Sequence, residues 1–166
     1  MKIEYYHGSV HGNGAKVAEE FRDIMAANGT NVNVHHVEDV EPDDIPLADL
    51  YIFSSPGRFG KPVKSMRKFL TKLRLPSGSR YAILVTEMNP QADRTTGEAP
   101  AEKELGKCQR VIPIMDAILE AKGLSKIAEG KVYVTGIKGP LEDRWRSKVE
   151  EFAAALRRAD QRTAGS

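Results

Sequence analysis

The chain has 166 residues, 40% of them hydrophobic and 29% charged, with a formal net charge of +2. This length suits one domain with its own hydrophobic core, and so small a net charge gives no reason to expect a nucleic-acid partner. The single cysteine, Cys108, excludes an internal disulfide and a four-cysteine zinc site, and it fits a cytoplasmic location. A polar first segment and the lack of roughly 20 consecutive apolar residues predict neither a signal peptide nor a membrane span.

Short apolar runs alternate with segments of helical period along the chain. Strands are predicted at residues 3–6, 32–37, 50–53, 81–85 and 131–134. The third and fourth are apolar at every position, which suits central strands that are covered on both faces. The alternation predicts an α/β fold with a parallel sheet and helices on both faces, and a doubly wound, five-stranded sheet in the order 2-1-3-4-5 fits these elements.

Four or five helices are predicted between and after these strands. The first has one apolar stripe and ends at Gly29. The helix that follows the fourth strand contains Pro113, which should kink or split it. The last helix is expected to begin at Pro140, with acidic residues in its first turn. The domain is expected to span residues 1–159, and residues 160–166 are expected to form a flexible tail.

The loop after the first strand is rich in glycine and leads into the first helix. It reads His-Gly-Ser-Val-His-Gly-Asn-Gly over residues 7–14. Exposed backbone N–H groups and the helix dipole make such a place attractive to a phosphate. The loop lacks the Gly-Lys-Ser/Thr of a Walker loop and the third glycine of a dinucleotide fingerprint. Taken alone, the pattern also fits a tight strand-to-helix turn with no ligand.

The loops after the third and fourth strands belong to the same edge of such a sheet, where ligands bind. The loop at residues 54–62 brackets Arg58 and Phe59 between two glycines and two prolines. Phe59 has two interpretations: it stacks on a planar ring, or it folds back and anchors the loop. The loop at about residues 87–100 is long for a compact domain, which is typical of functional loops.

Two of these loops carry a resemblance to a known family. Residues 9–14, Ser-Val-His-Gly-Asn-Gly, are similar to the phosphate-binding loop of flavodoxins, whose usual form is Ser/Thr-x-Thr-Gly-Asn-Thr. Residues 55–62, Ser-Pro-Gly-Arg-Phe-Gly-Lys-Pro, resemble the Ser-Pro-x-x-Phe/Tyr-Gly-x-Pro segment of flavodoxin-like and quinone-reductase-like flavoproteins. The uninterrupted fifth strand resembles the short-chain form, and the resemblance covers about residues 2–157.

The resemblance implies FMN as the cofactor. Its phosphate would sit on the first of these loops, and its isoalloxazine ring would lie between the two later ones. No side chain is expected to act as a catalytic acid, base or nucleophile, because the electron chemistry belongs to the flavin. The implied cofactor-binding residues are Ser9, Val10, His11, Gly12, Asn13, Gly14, Pro56, Gly57, Arg58, Phe59, Gly60, Thr86, Glu87, Met88 and Asn89.

Three positions depart from the flavodoxin pattern. His11 and Gly14 stand where threonine hydroxyls usually bind the phosphate. A hydrogen bond to a charged group contributes about 1.5–3 kcal/mol, so losing two would weaken FMN binding by about 3–6 kcal/mol. The backbone N–H groups remain, and the His11 ring can itself donate to a phosphate. In the third loop, Met88 replaces an aromatic residue found in many flavodoxins, and a thioether can pack on a ring face.

The second loop and the helix after it are rich in cations. Flavodoxins that serve as electron carriers are acidic, so a basic rim implies a different partner or an anionic substrate. Most of these side chains also fit the solvated face of a helix. Arg58 would lie near the flavin ring, where a cation favours the anionic reduced form. We therefore expect it to raise the reduction potential at which the flavin becomes fully reduced. The cations are Arg58, Lys61, Lys64, Arg67, Lys68, Lys72 and Arg74.

Two classes of function follow. The first is an FMN-binding redox protein, either a one-electron shuttle or a small oxidoreductase acting on a quinone or similar acceptor. Its partner would be a redox protein or a small electron acceptor, an anionic one included. The second is a flavodoxin-like domain that has lost FMN and serves as a binding module. The residues leave the oligomeric state open, a homodimer included.

Two further kinds of site are not favoured by the residues. Nucleic-acid binding through the basic helix lacks aromatic residues that interleave with the cations. A metal site is not expected either, because the histidine pairs His7/His11 and His35/His36 have no convincing carboxylate or cysteine partner.

Overall fold

The computed structural model describes residues 1–90 and 94–165. Within them, five α-helices and a short 3-10 turn, Val37–Asp39, connect seven strands. The strands are β1 Lys2–His7, β2 Asn31–His36, β3 Leu50–Ser54, β4 Gly57–Arg58, β5 Lys61–Pro62, β6 Arg80–Met88 and β7 Ser125–Val134. The helices are α1 Asn13–Ala27, α2 Lys64–Lys72, α3 Glu102–Cys108, α4 Val111–Ala121 and α5 Trp145–Ala164.

Five of the strands form one sheet in the order β2-β1-β3-β6-β7, and all four neighbouring pairs are parallel. This confirms the predicted doubly wound order. The strands β4 and β5, which the sequence pattern did not indicate, form a separate antiparallel hairpin in the loop after β3. Among the described residues, no helix is long and apolar enough to cross a membrane.

Helices cover both faces of the sheet, as predicted. On one face, α1 and α5 pack together and bury Tyr5, Phe21 and Phe152, whose neighbouring ring centroids lie 5.6 Å apart. On the other face, α2 and α4 cover Tyr6 and Phe53. The alternation of side chains along a strand sends Tyr5 and Tyr6 to opposite faces, so one strand contributes to both cores.

The carboxyl ends of β1 and β3 are level, which brings their loops together. His7 pairs with Ser54 across the two strands, and the Gly8 N–H donates to the Ser54 carbonyl at 2.9 Å. The loop after β3 also meets β6, because the Thr86 N–H donates to the Ser55 carbonyl at 3.2 Å. Three loops therefore share one edge of the sheet.

The long helix predicted around Pro113 is split into α3 and α4, but the break is not at the proline. It lies at Gln109 and Arg110, between the two helices. Pro113 is the third residue of α4. The first N–H groups of a helix have no partner inside it, so proline is tolerated there without a break.

The last helix begins at Trp145, so the predicted start at Pro140 is wrong. The segment before it instead folds back along the end of β7. Leu141 bridges Val134, and Glu142 binds Tyr133 through both its N–H and its carboxylate. The acidic residue predicted to favour a helix N-terminus therefore binds a strand.

At its other end α5 continues to Ala164. The Thr163 hydroxyl donates to the Ala159 carbonyl at 3.0 Å. Part of the segment predicted as a tail, residues 160–164, is therefore helical.

Candidate functional site

A cavity of about 710 Å³ opens at the edge where the three loops meet. Its volume is in the usual range for small-molecule sites. The sequence-predicted residues come together here from three separate elements, and Gly12 is the exception because it does not line the cavity. Those that do are Ser9, Val10, His11, Asn13, Gly14, Pro56, Gly57, Arg58, Phe59, Gly60, Thr86, Glu87, Met88 and Asn89.

The loop before α1 presents a row of backbone N–H groups. Gly12 precedes the helix with φ +92°, a left-handed conformation that glycine adopts freely. Its carbonyl accepts the Lys16 N–H, the first bond of the helix. Within residues 1–90 and 94–165, the N–H groups of residues 10, 11 and 13–15 have no acceptor. Unpaired N–H groups at a helix N-terminus attract anions.

Two histidines hold the start of this loop. His7 Nδ1 accepts the Ser9 N–H at 3.2 Å. His36 Nδ1 accepts the Glu38 N–H, so its Nε2 carries the proton and donates to the Ser9 carbonyl at 2.8 Å. The Nδ1 of each ring therefore acts as a hydrogen-bond acceptor. They end the paired strands β1 and β2, and their ring centroids are 5.0 Å apart.

Burial lowers the pKa of His7 to about 4, and the neighbouring His36 adds to the shift. Nearby Asp39 opposes it less strongly. The loop is thus fixed by a histidine that stays neutral well below its ordinary pKa. Sequence reasoning missed this role. The available signal was a histidine at the carboxyl end of each of two predicted neighbouring strands.

Ser9 and Gly14 face each other inside the loop. The Ser9 hydroxyl accepts the Gly12 N–H at 3.1 Å. A Cβ added to Gly14 would lie 3.3 Å from the Ser9 Cβ, which is a tight contact. Gly14, which stands where flavodoxins usually have a threonine, therefore leaves room for the Ser9 side chain.

The hairpin β4–β5 forms the second wall of the cavity. Phe59 lies at its tip with φ +53° and is 97% exposed, so it does not fold back as an anchor. Gly60 follows with φ +75°, and a Cβ there would lie 2.1 Å from the Cys108 carbonyl oxygen. The Arg110 N–H donates to the Gly60 carbonyl at 2.7 Å. The hairpin is therefore packed closely against the link between α3 and α4.

Glu87 lies beneath the hairpin and is only 3% exposed. A Cβ on Gly57 would lie 3.0 Å from the Glu87 Cγ, so only glycine fits there without a shift. Burial raises the pKa of Glu87 even though Lys131 Nζ is 3.2 Å from its Oε2. Lys131 also donates to Gln109 Oε1, and Gln109 Nε2 donates to the Met88 carbonyl, both at 2.9 Å.

The comparisons with known proteins bear on this architecture. No protein-family model matches the sequence, and no curated protein matches it. Solved structures do match. Oxidised flavodoxin 1 from Bacillus cereus is 18% identical and superposes with a TM-score of 0.69, over 95% of this chain and 98% of that one. The chain has the flavodoxin fold.

Two further structures show the same likeness. Two-electron reduced flavodoxin from Megasphaera elsdenii is 19% identical, with a TM-score of 0.64 over 93% of this chain and 98% of that one. A short-chain flavodoxin associated with a bacterial microcompartment is 15% identical, with a TM-score of 0.67 over 95% and 97%. The match thus extends over nearly the whole length of short-chain flavodoxins.

Part of the cavity of this flavodoxin-like domain comes from residues that sequence reasoning did not select. They belong to the loop after β6, to α3 with the residues next to it, and to the end of β7 with the turn that follows it. Among them is Cys108, which is exposed and lines the cavity. Pro90 and Pro100 fall in the long loop at about residues 87–100 that the sequence indicated as functional, whereas no local pattern marked the others. They are Pro90, Pro100, Glu104, Leu105, Cys108, Gln109, Val134 and Ile137.

The mouth of the cavity is apolar. Among the described residues, six large hydrophobic side chains are exposed, and four of these line the cavity. Those four are Val10, Phe59, Met88 and Ile137. The site therefore joins a row of polar N–H groups to an apolar rim, which suits a ligand with an anionic end and a flat apolar part.

Proposed function

We propose that this chain binds FMN and transfers electrons. The observation that carries the proposal is the row of unpaired N–H groups at the start of α1, which opens into a cavity with an apolar rim. In the proposed complex, the phosphate lies on residues 9–14. The isoalloxazine ring lies between residues 56–60 and 86–89. The flavodoxin fold supports this position, because such sheets bind ligands at the carboxyl ends of the strands.

The loop before α1 fits a phosphate without the two threonine hydroxyls. Backbone N–H groups and the helix dipole together attract an anion. His11 is exposed at the cavity, and its ring can donate one further hydrogen bond. The loop is also fixed in place by His7 and His36, so little ordering is required when the ligand binds.

The hairpin and the end of β6 fit a flat ring. Phe59 and Met88 are both exposed at the mouth, where each can pack on an aromatic face. Arg58 lines the same cavity and supplies a cation to tune the flavin. When bound, FMN would supply the electron chemistry, while the protein binds the ring, orients it and adjusts its potential.

The residues support two forms of this function. One is an electron shuttle between proteins in the cytoplasm, and the other is a small oxidoreductase acting on a quinone or a similar acceptor. Oxidation of NAD(P)H by the FMN-loaded protein alone would identify the oxidoreductase. Its absence, with electron exchange through a partner protein intact, would identify the shuttle.

The test uses Asn13→Asp together with two ligands. Asn13 is the first residue of α1 and lines the cavity. A carboxylate there suits the helix dipole, but it repels a bound phosphate. We expect the variant to be at least as stable as the parent and to bind FMN about tenfold or more weakly, since repulsion of about 1.4 kcal/mol has that effect. Riboflavin, which has no phosphate, should bind both proteins equally.

Flavin fluorescence quenching measures both affinities. Equal weakening of FMN and riboflavin would mean that the phosphate does not lie at α1. No saturable FMN binding to the parent protein would overturn the proposal. It would instead favour a binding module that has lost its flavin, as the residues at positions 11 and 14 allow.

A further inference from the structure

Positive charge is concentrated in one segment of the chain. Eight lysines and arginines lie between Asp49 and Glu87, and no aspartate or glutamate lies among them. Of the chain's 25 lysines and arginines, the other 17 are outnumbered by 23 acidic residues. The molecule is therefore strongly asymmetric in charge although its net charge is only +2. The eight are Arg58, Lys61, Lys64, Arg67, Lys68, Lys72, Arg74 and Arg80.

Seven of these cations are exposed and unpaired. Arg80 is the eighth, and it pairs with Asp160 at 3.1 Å. In the parts of the chain that the structure describes, none of the other seven lies within 4.0 Å of a carboxylate oxygen. The reason is local, because α2 buries Met66, Phe69 and Leu70 against the sheet and turns its cations outward. We call the exposed surface of the hairpin and α2 the basic face.

The basic face is continuous with the candidate site. A groove of about 970 Å³ runs along α2 and shares Val10 and Arg58 with the site cavity. Lys64 and Lys68 line its α2 side, while Glu38 and Glu41 lie in its lining from the connection after β2. Arg58 therefore links the α2 side of the groove to the mouth of the cavity, while the groove lining after β2 carries the carboxylates Glu38, Glu41 and Asp43.

We propose that the basic face docks an acidic electron-transfer protein beside the apolar mouth of the cavity. This inference rests on the proposed FMN function, and it names the partner. An apolar centre with a charged rim is the usual anatomy of a protein interface. Here Phe59 and Val10 belong to that centre and Arg58 to the rim. Interfaces for electron transfer are small and rely on complementary charge for fast, oriented encounter.

The experiment follows by stopped flow the transfer of one electron from a reduced, acidic [2Fe–2S] ferredoxin, which becomes oxidised, to the oxidised FMN-loaded protein, which becomes reduced. Lys64→Glu with Lys68→Glu reverses two charges on the basic face. The control is Arg158→Glu with Arg162→Glu. It reverses two charges at exposed positions of α5, which covers the other face of the sheet. At low salt we expect the first double variant to lower the second-order rate constant about tenfold or more. The α5 control should change it by less than about twofold.

Salt and a basic probe sharpen the result. The parent rate with ferredoxin should fall about tenfold or more as salt screens the charges. Oxidised, basic cytochrome c would accept an electron from the protein carrying reduced FMN, and the rate of this reaction should rise with salt. Equal loss in both double variants, or a rate independent of salt, would overturn the docking proposal. Binding of duplex DNA but not of ferredoxin would also overturn it.

Failure of the FMN function gives a different result. FMN titration of all variants reports the flavin site alone, and the charge reversals should leave the affinity unchanged within about twofold. If the parent does not bind FMN, complex formation with ferredoxin can still be followed by calorimetry on the flavin-free protein. Salt-dependent binding that only Lys64→Glu with Lys68→Glu removes would then support the basic face without the flavin.

Discussion

The two ends of the candidate site are built differently. The end at α1, which is proposed to bind the phosphate and is called the phosphate-loop end below, consists of backbone N–H groups around Gly12 and is fixed by His7 and His36. The opposite end consists of the hairpin, which rests on the link after α3 through Gly60. The first end depends on residues close in sequence or on neighbouring strands, whereas the second depends on a contact between distant segments. Changes at the second end should therefore spread further through the site.

Gly60→Ala should have the largest effect. The new Cβ would lie 2.1 Å from the Cys108 carbonyl oxygen, and the residue has φ +75°. Overpacking costs about 1–3 kcal/mol and a left-handed non-glycine residue about 1–2 kcal/mol. We expect a loss of about 3 kcal/mol or more in the free energy of unfolding, measured by urea denaturation.

The matched control for that change is Gly29→Ala. Gly29 has φ +79°, but a Cβ there has no neighbour within 4 Å. In Gly29→Ala the free energy of unfolding should fall only by the cost of a left-handed non-glycine residue, about 1–2 kcal/mol. Equal losses at the two positions would show that the contact with the α3–α4 link does not hold the hairpin.

The second prediction concerns acid. Between the ordinary histidine pKa of about 6.5 and the folded value of about 4, the unfolded chain binds a proton at His7 and the folded chain does not. Stability should therefore fall as the pH drops through this window, by about 3 kcal/mol in total from this group. His7→Asn keeps an acceptor for the Ser9 N–H but does not titrate. Urea unfolding between pH 7 and pH 4 should show a shallower pH slope in the variant, and equal slopes would contradict this role of His7.

The third prediction separates function from stability at the phosphate-loop end. Gly12 has φ +92°, and a Cβ added there would have nothing within 4 Å, so Gly12→Ala should lose about 1–2 kcal/mol, like Gly29→Ala. Only the Gly12 change shifts the N–H groups proposed to bind phosphate. FMN affinity, followed by fluorescence quenching, should drop in Gly12→Ala and stay constant in Gly29→Ala. Equal affinities would mean that the left-handed turn has no part in binding.

The same contrast explains what the sequence could predict. The strand order could be predicted from the alternation of apolar runs and helical segments, and the glycine-rich pattern marked the loop before α1, in which Gly12 has a left-handed conformation. The part of the cavity lined by α3 could not be predicted. The contact of Cys108 with Gly60 joins segments that are far apart in the chain. The predicted start of the last helix at Pro140 was wrong for a related reason. Glu142 binds Tyr133 in β7 and does not belong to the first turn of that helix.

Arg58→Glu is expected to have the smallest effect, on potential rather than on stability. Arg58 is exposed and lines the cavity, so a negative charge there should disfavour the anionic reduced flavin. Exposed charge interactions contribute up to about 1 kcal/mol, which for one electron corresponds to a fall on the order of 40 mV. Lys61→Glu is the matched control, because Lys61 pairs with Arg58 across the hairpin but does not line the cavity. In a potentiometric titration, no fall in Arg58→Glu would overturn the tuning role. Equal falls in both variants would instead indicate a general effect of the basic face.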